Sequence, residues 1–354
     1  MNKTETAKLQ KYLTAYLKEI HETYVRRDFR EESFYPYLKD LFENCAHFFI
    51  TEEEAKALVL PKRTEVGIPD FLIRKDGEIV GHIEAKVPDS NLREIEKTEQ
   101  IRRYRDALPN LILTNFVEFR RYRNGAFIEQ VDLCSPAALQ GLKPPVPENE
   151  DAFFDFIEKF CDFATPEIRS ASELAVVLAK KTRLSKTILE EVLEQEKEPD
   201  YPFPLIKGFY ETFRDTLIEE LTEERFVDLY AQTITYGLFT AKMMAREQDV
   251  DEDSAWRFIP NNVPLLRNIF HSFSGPSTPE PLSWVIDDIV RVLNKMDIAT
   301  VRSEVWTSHK MIDPIIHFYE TFLATYNPEE RERMGVYYTP LPVVSYIVRS
   351  INDM

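Results

Sequence analysis

Apolar side chains fall along this chain in two rhythms, and the change between them divides it. From Leu9 to Tyr24 the apolar positions Leu9, Tyr12, Leu13, Tyr16, Leu17, Ile20 and Tyr24 recur at the spacing of one helical face. After a polar break at Arg26 to Arg30, a second helix is predicted from residue 31 to about Cys45, with Phe34, Leu38, Leu41, Phe42 and Cys45 as its buried stripe. Pro36 lies in its first turn, where a missing N–H has no partner to lose. Glu52 to Lys56 reads as a charged connector. The rhythm then shortens. Gly67 to Val87 predicts two strands joined at Asp76-Gly77, a dipeptide that tolerates the left-handed backbone of a tight turn. Val87-Pro88 ends the second strand, and Asn91 to Ala107 follows as a charged helix. Asn110 to Thr114 is a short apolar strand, and Phe116 to Ile128 a hairpin around Asn124-Gly125 whose later half is expected to be exposed or to face a ligand.

Leu142 to Glu150 is Pro-rich and polar, so a domain boundary is expected there. Beyond it the helical period takes over in Ala152–Phe163, Ser170–Glu196, Leu205–Leu221, Arg225–Arg246, Leu282–Met296 and Pro314–Tyr326. Glu198 to Pro204 and Ser274 to Pro281 break these helices. Within Tyr230 to Ala241, Ile234, Leu238 and Ala241 form a buried stripe and Gly237 permits close helix approach; the phrase is similar to a spacer helix of large restriction-modification proteins. The predicted fold class is therefore α/β, a sheet flanked by helices, followed by an all-α domain.

Composition adds bounds. The 354 residues are 44% hydrophobic and 30% charged, ordinary for a soluble globular protein with two or three domains. No apolar run approaches the ~18 residues of a membrane span, and residues 1–10 lack the apolar core of a signal peptide. Cys45, Cys134 and Cys161 are far apart and odd in number, which suits buried thiols in a reducing, cytoplasmic setting. A net charge of −17 sits awkwardly with a polyanionic partner. Basic residues nevertheless gather between Lys97 and Arg123, seven against three acidic ones. The other basic cluster, Lys180 to Lys186, reads as a solvated helix face. His271, His309 and His317 stand apart, without ligand spacing.

Chemistry concentrates in the first predicted hairpin. Alternation along its second strand puts His82, Glu84 and Lys86 on one side and Ile83, Ala85 and Val87 on the other. Bringing Asp70 beside Glu84 would crowd two carboxylates, an arrangement that invites Mg²⁺. Lys86 would then orient, or help to deprotonate, a water attacking a phosphodiester. Pro69-Asp70, an apolar strand, a turn and Glu84-Ala85-Lys86 in that order resemble the PD-(D/E)xK nuclease superfamily. The resemblance implies a central mixed sheet flanked by helices and Mg²⁺-dependent hydrolysis of double-stranded DNA. It also implies that Asp70, Glu84 and Lys86 are catalytic, with Asp70 and Glu84 as metal ligands and a glutamate on a preceding helix assisting. Glu31 suits that place from its position on the stripe, Glu32 less well; a charge favoured at a helix N-terminus is the other reading of Glu31. Gln100 and Tyr104, the former fourteen residues past Lys86, resemble the Q-x-x-x-Y helix of one branch of the superfamily. They are expected to support the site or the DNA backbone, with Arg102 and Arg103 beside them.

Near the far end, Gly335 to Pro340 reads G-V-Y-Y-T-P, followed by a helix with Val343, Val344, Ile347 and Ile351 along one face. This resembles the opening motif of adenine-specific amino-methyltransferases, which implies that Tyr337, Tyr338, Thr339 and Pro340 bind the amino-acid end of S-adenosylmethionine. No F-x-G-x-G loop and no N-P-P-Y/F or D-P-P-Y/F motif occurs, so that cofactor is expected only in a longer protein of which this chain is an N-terminal or truncated part. The order resembles single-chain restriction-modification enzymes of the Type IIG/IIL kind and their Type I single-polypeptide relatives. Since no G-x-x-x-x-G-K-[ST] loop is present, the layout without a helicase fits better. The expected domains are a nuclease-like domain at 1–141, a helical spacer at 142–328 and the start of a methyltransferase at 329–354. Two other readings are a non-catalytic DNA-associated platform and a vestigial nuclease attached to a methyltransferase.

Overall fold

The computed structural model describes residues 3–49, 55–59, 68–75, 78–164, 166–251, 254–259, 267, 270, 280–307, 314–329, 332 and 341–352. They form two compact units, Met1–Thr165 and Pro166–Met354.

The first unit is a six-stranded mixed sheet flanked by helices. Helix α1 (Lys3–Val25) leads through a 3₁₀ turn at Glu31–Phe34 into α2 (Tyr35–Phe49). Strands β1 (Ala55–Val59), β2 (Phe71–Lys75), β3 (Glu78–Ala85), β4 (Asn110–Thr114), β5 (Glu118–Arg123) and β6 (Ala126–Asp132) follow, and they lie in the sheet in sequence order. Every neighbouring pair is antiparallel except β3–β4, which is parallel with Ala85 opposite Thr114. A parallel pair needs a crossover, here α3 (Leu92–Ile95) and α4 (Glu99–Ala107).

Period-2 alternation sorts the sheet's side chains. Ile83, Ala85, Ile112 and Phe119 join one core with the α1 and α2 stripes and with Phe153, Phe156 and Phe160 of α5 (Glu150–Cys161). The opposite face carries Leu72, His82, Leu111 and Tyr122 in register. It is tied to the crossover by the Tyr122 hydroxyl, which donates to Glu96 at 2.6 Å, and by the Arg105 guanidinium 4.6 Å above the Tyr122 ring. At Gly81 a Cβ would stand only 2.6 Å from the Phe160 ring, so the glycine is what lets α5 lie this close. Asn110 clamps the same place, its Nδ2 donating to the carbonyls of Val80 (2.9 Å) and Phe160 (3.0 Å).

Several expectations change. The charged connector at Glu52 to Lys56 runs into a strand, β1, which pairs with β2 from Ala55 opposite Lys75 to Val59 opposite Phe71. The helix expected over Asn91–Ala107 breaks at Glu96–Lys97, because Glu96 turns aside to Arg120 and Tyr122 and α4 restarts after Thr98. The later half of the 116–128 hairpin is not open at Arg120, Arg121 and Tyr122, all buried. Arg120 pairs with Glu96, and Arg121 with Glu129. The turn itself is as expected, Asn124 and Gly125 having φ of 49° and 84°. The Pro-rich stretch does not end the first unit: α5 beyond it supplies six buried side chains to the same core, and the unit runs to Thr165. Asp76-Gly77 lies outside the described residues.

The second unit is helical, with α6 (Ala171–Gln195), α7 (Leu205–Thr216), α8 (Glu223–Ala245), α9 (Glu280–Asn294), α10 (Ile298–Thr307), α11 (Pro314–Tyr326) and α12 (Leu341–Asn352). Helices α6 and α8 meet at a buried Thr182–Thr235 hydroxyl pair, 2.8 Å apart. Gly237 gives close approach to Phe270, whose ring would lie 2.8 Å from a Cβ there. The 180–186 cluster is not a solvated face: Lys181 is buried against Asp288, and Arg183 donates to the Thr325 and Tyr326 carbonyls. Val343, Ile347 and Ile351 of α12 are exposed. His271 and His309 lie outside the described residues, as does the His317 side chain. Among the described residues no helix is long and apolar enough to cross a membrane.

Candidate active site

The end of β3 and the residue before β2 meet where the antiparallel β2–β3 pair gives way to the parallel β3–β4 pair. Phe71 faces Ile83 across the sheet, so Asp70 arrives beside the last residues of β3. There Asp70 is fixed from two sides: its Oδ2 accepts the Ala85 N–H at 2.7 Å, and its Oδ1 accepts the Tyr35 hydroxyl at 2.5 Å. Glu84, on the strand face opposite Ala85, accepts the Lys86 ammonium at 2.5 Å. Both carboxylates are 1% exposed. Lys86 follows the strand and is held by its own N–H, which donates to the Thr114 carbonyl at 2.8 Å.

Glu31 reaches this group from the 3₁₀ turn. Tyr35, one helical turn on, places its hydroxyl 3.1 Å from Glu31 Oε1 as well as against Asp70. Sequence reading passed over Tyr35, whose partner Asp70 is thirty-five residues away. The signal present was the i, i+4 pairing of Glu31 with a tyrosine just inside a helix start. Burial, then Asp70 and Glu31, push the Tyr35 phenol far above its ordinary value, so it stays a proton donor. For Lys86, burial works against the charge, but Glu84, Glu31 and Asp70 together outweigh it and raise the pKa above a lysine's usual value. The ammonium therefore feels all three carboxylates and remains charged at neutral pH.

Three carboxylates and one ammonium come together here. That donor set suits a divalent cation. Among the described residues no three Asp, Glu, His or Cys side chains close into a metal cage. Mg²⁺ does not demand one, since it is commonly held by one or two carboxylates and completes its shell with water and substrate oxygens.

The outlying candidates behave differently. Gln100 is exposed and donates to the Tyr104 hydroxyl at 3.3 Å, so the two share a face. Tyr104 is 1% exposed, and its ring is not open for stacking on a base. Arg102 is exposed, whereas Arg103 is paired with Glu99 on its own helix. Tyr337, Tyr338, Thr339 and Pro340 lie outside the described residues.

No known protein family matches the chain, and no curated protein matches it. Among solved structures, the chain is similar to the cryo-EM structure of a DrdV–DNA complex, at 15% identity and a TM-score of 0.33. The match takes in 96% of this chain and 31% of that one, so the chain spans about a third of its length. A TM-score of that size fixes neither fold nor function.

Proposed function

We propose that this chain carries the Mg²⁺-dependent endonuclease of a restriction-modification protein, a PD-(D/E)xK-type domain that hydrolyses phosphodiester bonds of double-stranded DNA. The observation that carries the reading is the convergence of Asp70, Glu84 and Lys86 at the end of β3, with Glu31 brought in through Tyr35. Asp70 and Glu84 would hold the cation, with Glu31 as the auxiliary carboxylate. Bound there, Mg²⁺ supplies electrophilic stabilisation of the charge that builds on the phosphoryl oxygens. Lys86, being an ammonium, is a donor: it orients the attacking water and stabilises negative charge, and it does not act as the base. Tyr35 and the Ala85 N–H keep Asp70 in a single orientation, which preserves the alignment that in-line attack requires. Gln100, on the exposed side of its pair, is left to meet the DNA backbone.

The helical unit is proposed as the spacer, and residues 329–354 as the start of an adenine-specific methyltransferase that uses S-adenosylmethionine in a longer protein. The three buried thiols suit a reducing, cytoplasmic setting. The direct test is incubation of supercoiled plasmid with Mg²⁺ or Mn²⁺ and wild type, Asp70→Ala or Lys86→Ala. Cutting by wild type alone supports the proposal. Equal cutting by all three sinks it, and no cutting by any of them favours the non-catalytic platform.

A further inference from the structure

Cations near the site are of two kinds. Most of those that the sequence gathers between residues 97 and 123 are spent inside the protein: Lys97 on Glu94, Arg103 on Glu99, Arg120 on Glu96 and Arg121 on Glu129. The five-residue connection from α1 to the 3₁₀ turn holds the other kind. Arg26, Arg27 and Arg30 are all exposed, and none forms an ion pair among the described residues. With the exposed Asp28 between them, the five residues still carry a net charge of +2 in a chain of net charge −17.

The connection is anchored to the core and leads into the candidate site. Arg30 immediately precedes Glu31. Phe29 anchors the connection to the core, stacking on Tyr24 at 5.4 Å and meeting the Phe34 edge at 5.1 Å. Arg27 takes a left-handed backbone, φ 57°, which disfavours a residue with a Cβ, and its N–H closes the turn onto the Tyr24 carbonyl at 3.2 Å. The same Arg27 lines an open groove of about 660 Å³ together with Asp89, three residues past Lys86. Arg27 thus brings positive charge to a groove that also takes in the segment just after β3 at Asp89.

We propose that Arg26, Arg27 and Arg30 form the surface that grips the phosphate backbone of duplex DNA beside the scissile site. This rests on the nuclease reading and deepens it. An acidic catalytic cluster repels the polyanion it must cleave, so the strands need cations close by that are not already paired. Guanidiniums suit the task, because their planar fork matches two phosphate oxygens at once.

The test is the binding of a labelled 30-base-pair duplex to the full chain, followed by fluorescence anisotropy across a salt series with Ca²⁺ in place of Mg²⁺. Three variants are compared with wild type. Arg26→Gln/Arg27→Asn/Arg30→Gln removes the charge, with Asn at 27 because it tolerates the left-handed backbone. An all-lysine triple keeps the charge. Lys8→Gln/Lys11→Gln/Lys159→Gln removes three exposed charges away from the groove. Each phosphate contact contributes about 0.9 to the slope of log Kd against log salt, so the first variant is expected to lose roughly 2–3 from that slope and more than tenfold in affinity at low salt. The all-lysine triple should keep the slope within about one, and the distant triple should match wild type. Wild-type affinity and slope in the first variant would overturn the surface while leaving the nuclease reading in place. A loss equal to that in the distant triple would also overturn it, as a general charge effect. No duplex binding by wild type at any salt would overturn both.

Discussion

In the helical unit the buried Lys181 ammonium pairs with the Asp288 carboxylate, and the pair joins the two helices that carry them. In the sheet unit the Lys86 ammonium is hydrogen-bonded to Glu84 and also feels Glu31 and Asp70, three carboxylates around one cation. Both arrangements withdraw charge from water, and their sequences look alike, lysines and acids among apolar residues. What separates them is stoichiometry. A balanced pair is complete as it stands, and removing one member strands the other. A gathering of several carboxylates instead offers oxygens of the kind a divalent cation uses.

That contrast can be broken by experiment, beginning with its structural side. Asp288→Ala is expected to destabilise the protein by about 3–5 kcal/mol, because Lys181 keeps its burial and loses its partner. Chemical denaturation followed by circular dichroism reads this, and a loss below about 1 kcal/mol would show that the pair is not holding the unit. Lys86→Met should show the reverse pattern: plasmid cutting falls about 10²–10³-fold while the denaturation midpoint moves little. Smaller again, Gly81→Ala puts a methyl group against Phe160 and is expected to cost about 1–3 kcal/mol, reported by the same denaturation curves. Tyr35→Phe removes a hydrogen bond to a carboxylate and should weaken Mn²⁺ binding about tenfold by titration calorimetry, with secondary structure unchanged. The smallest effect is in pH. The native pKa of Lys86 is raised, so its contribution to stability is complete below the unfolded value and fades as pH climbs past about 10.5. Wild type should therefore lose stability at high pH more steeply than Lys86→Met.

Local periodicity made much of this architecture legible. The α1 and α2 stripes, the strand at Asn110–Thr114 and the turn at Asn124-Gly125 all follow from side chains that decide their own neighbourhood. What stayed hidden depends on distant partners. Ala55–Val59 is a strand because β2 is there to pair with it, and nothing in Ala-Lys-Ala-Leu-Val announces an edge of a sheet. Arg120 and Arg121 look like a ligand-facing edge until Glu96 and Glu129 are placed opposite them. The proline-rich stretch after Leu142 signals a turn of the chain, and only Gly81 and Asn110 reveal that α5 comes back to the sheet. At the candidate site, the grouping of Asp70 with Glu84 and Lys86 is suggested by strand alternation and by the motif they resemble. Tyr35 is not, because its role exists only once a helix start has been set against a strand thirty-five residues on.

The Phe160 ring seated over Gly81 also orders events in time. The acidic residues of the candidate site and Lys86 are synthesised before residue 90, yet the core beneath them is completed by aromatic side chains of α5 that leave the ribosome some seventy residues later. Until α5 emerges, the sheet has an open greasy back and its carboxylates rest on an unfinished floor. A nascent chain halted near residue 141 is therefore expected to be sensitive to protease and held by chaperones, and one released past residue 165 to be closed.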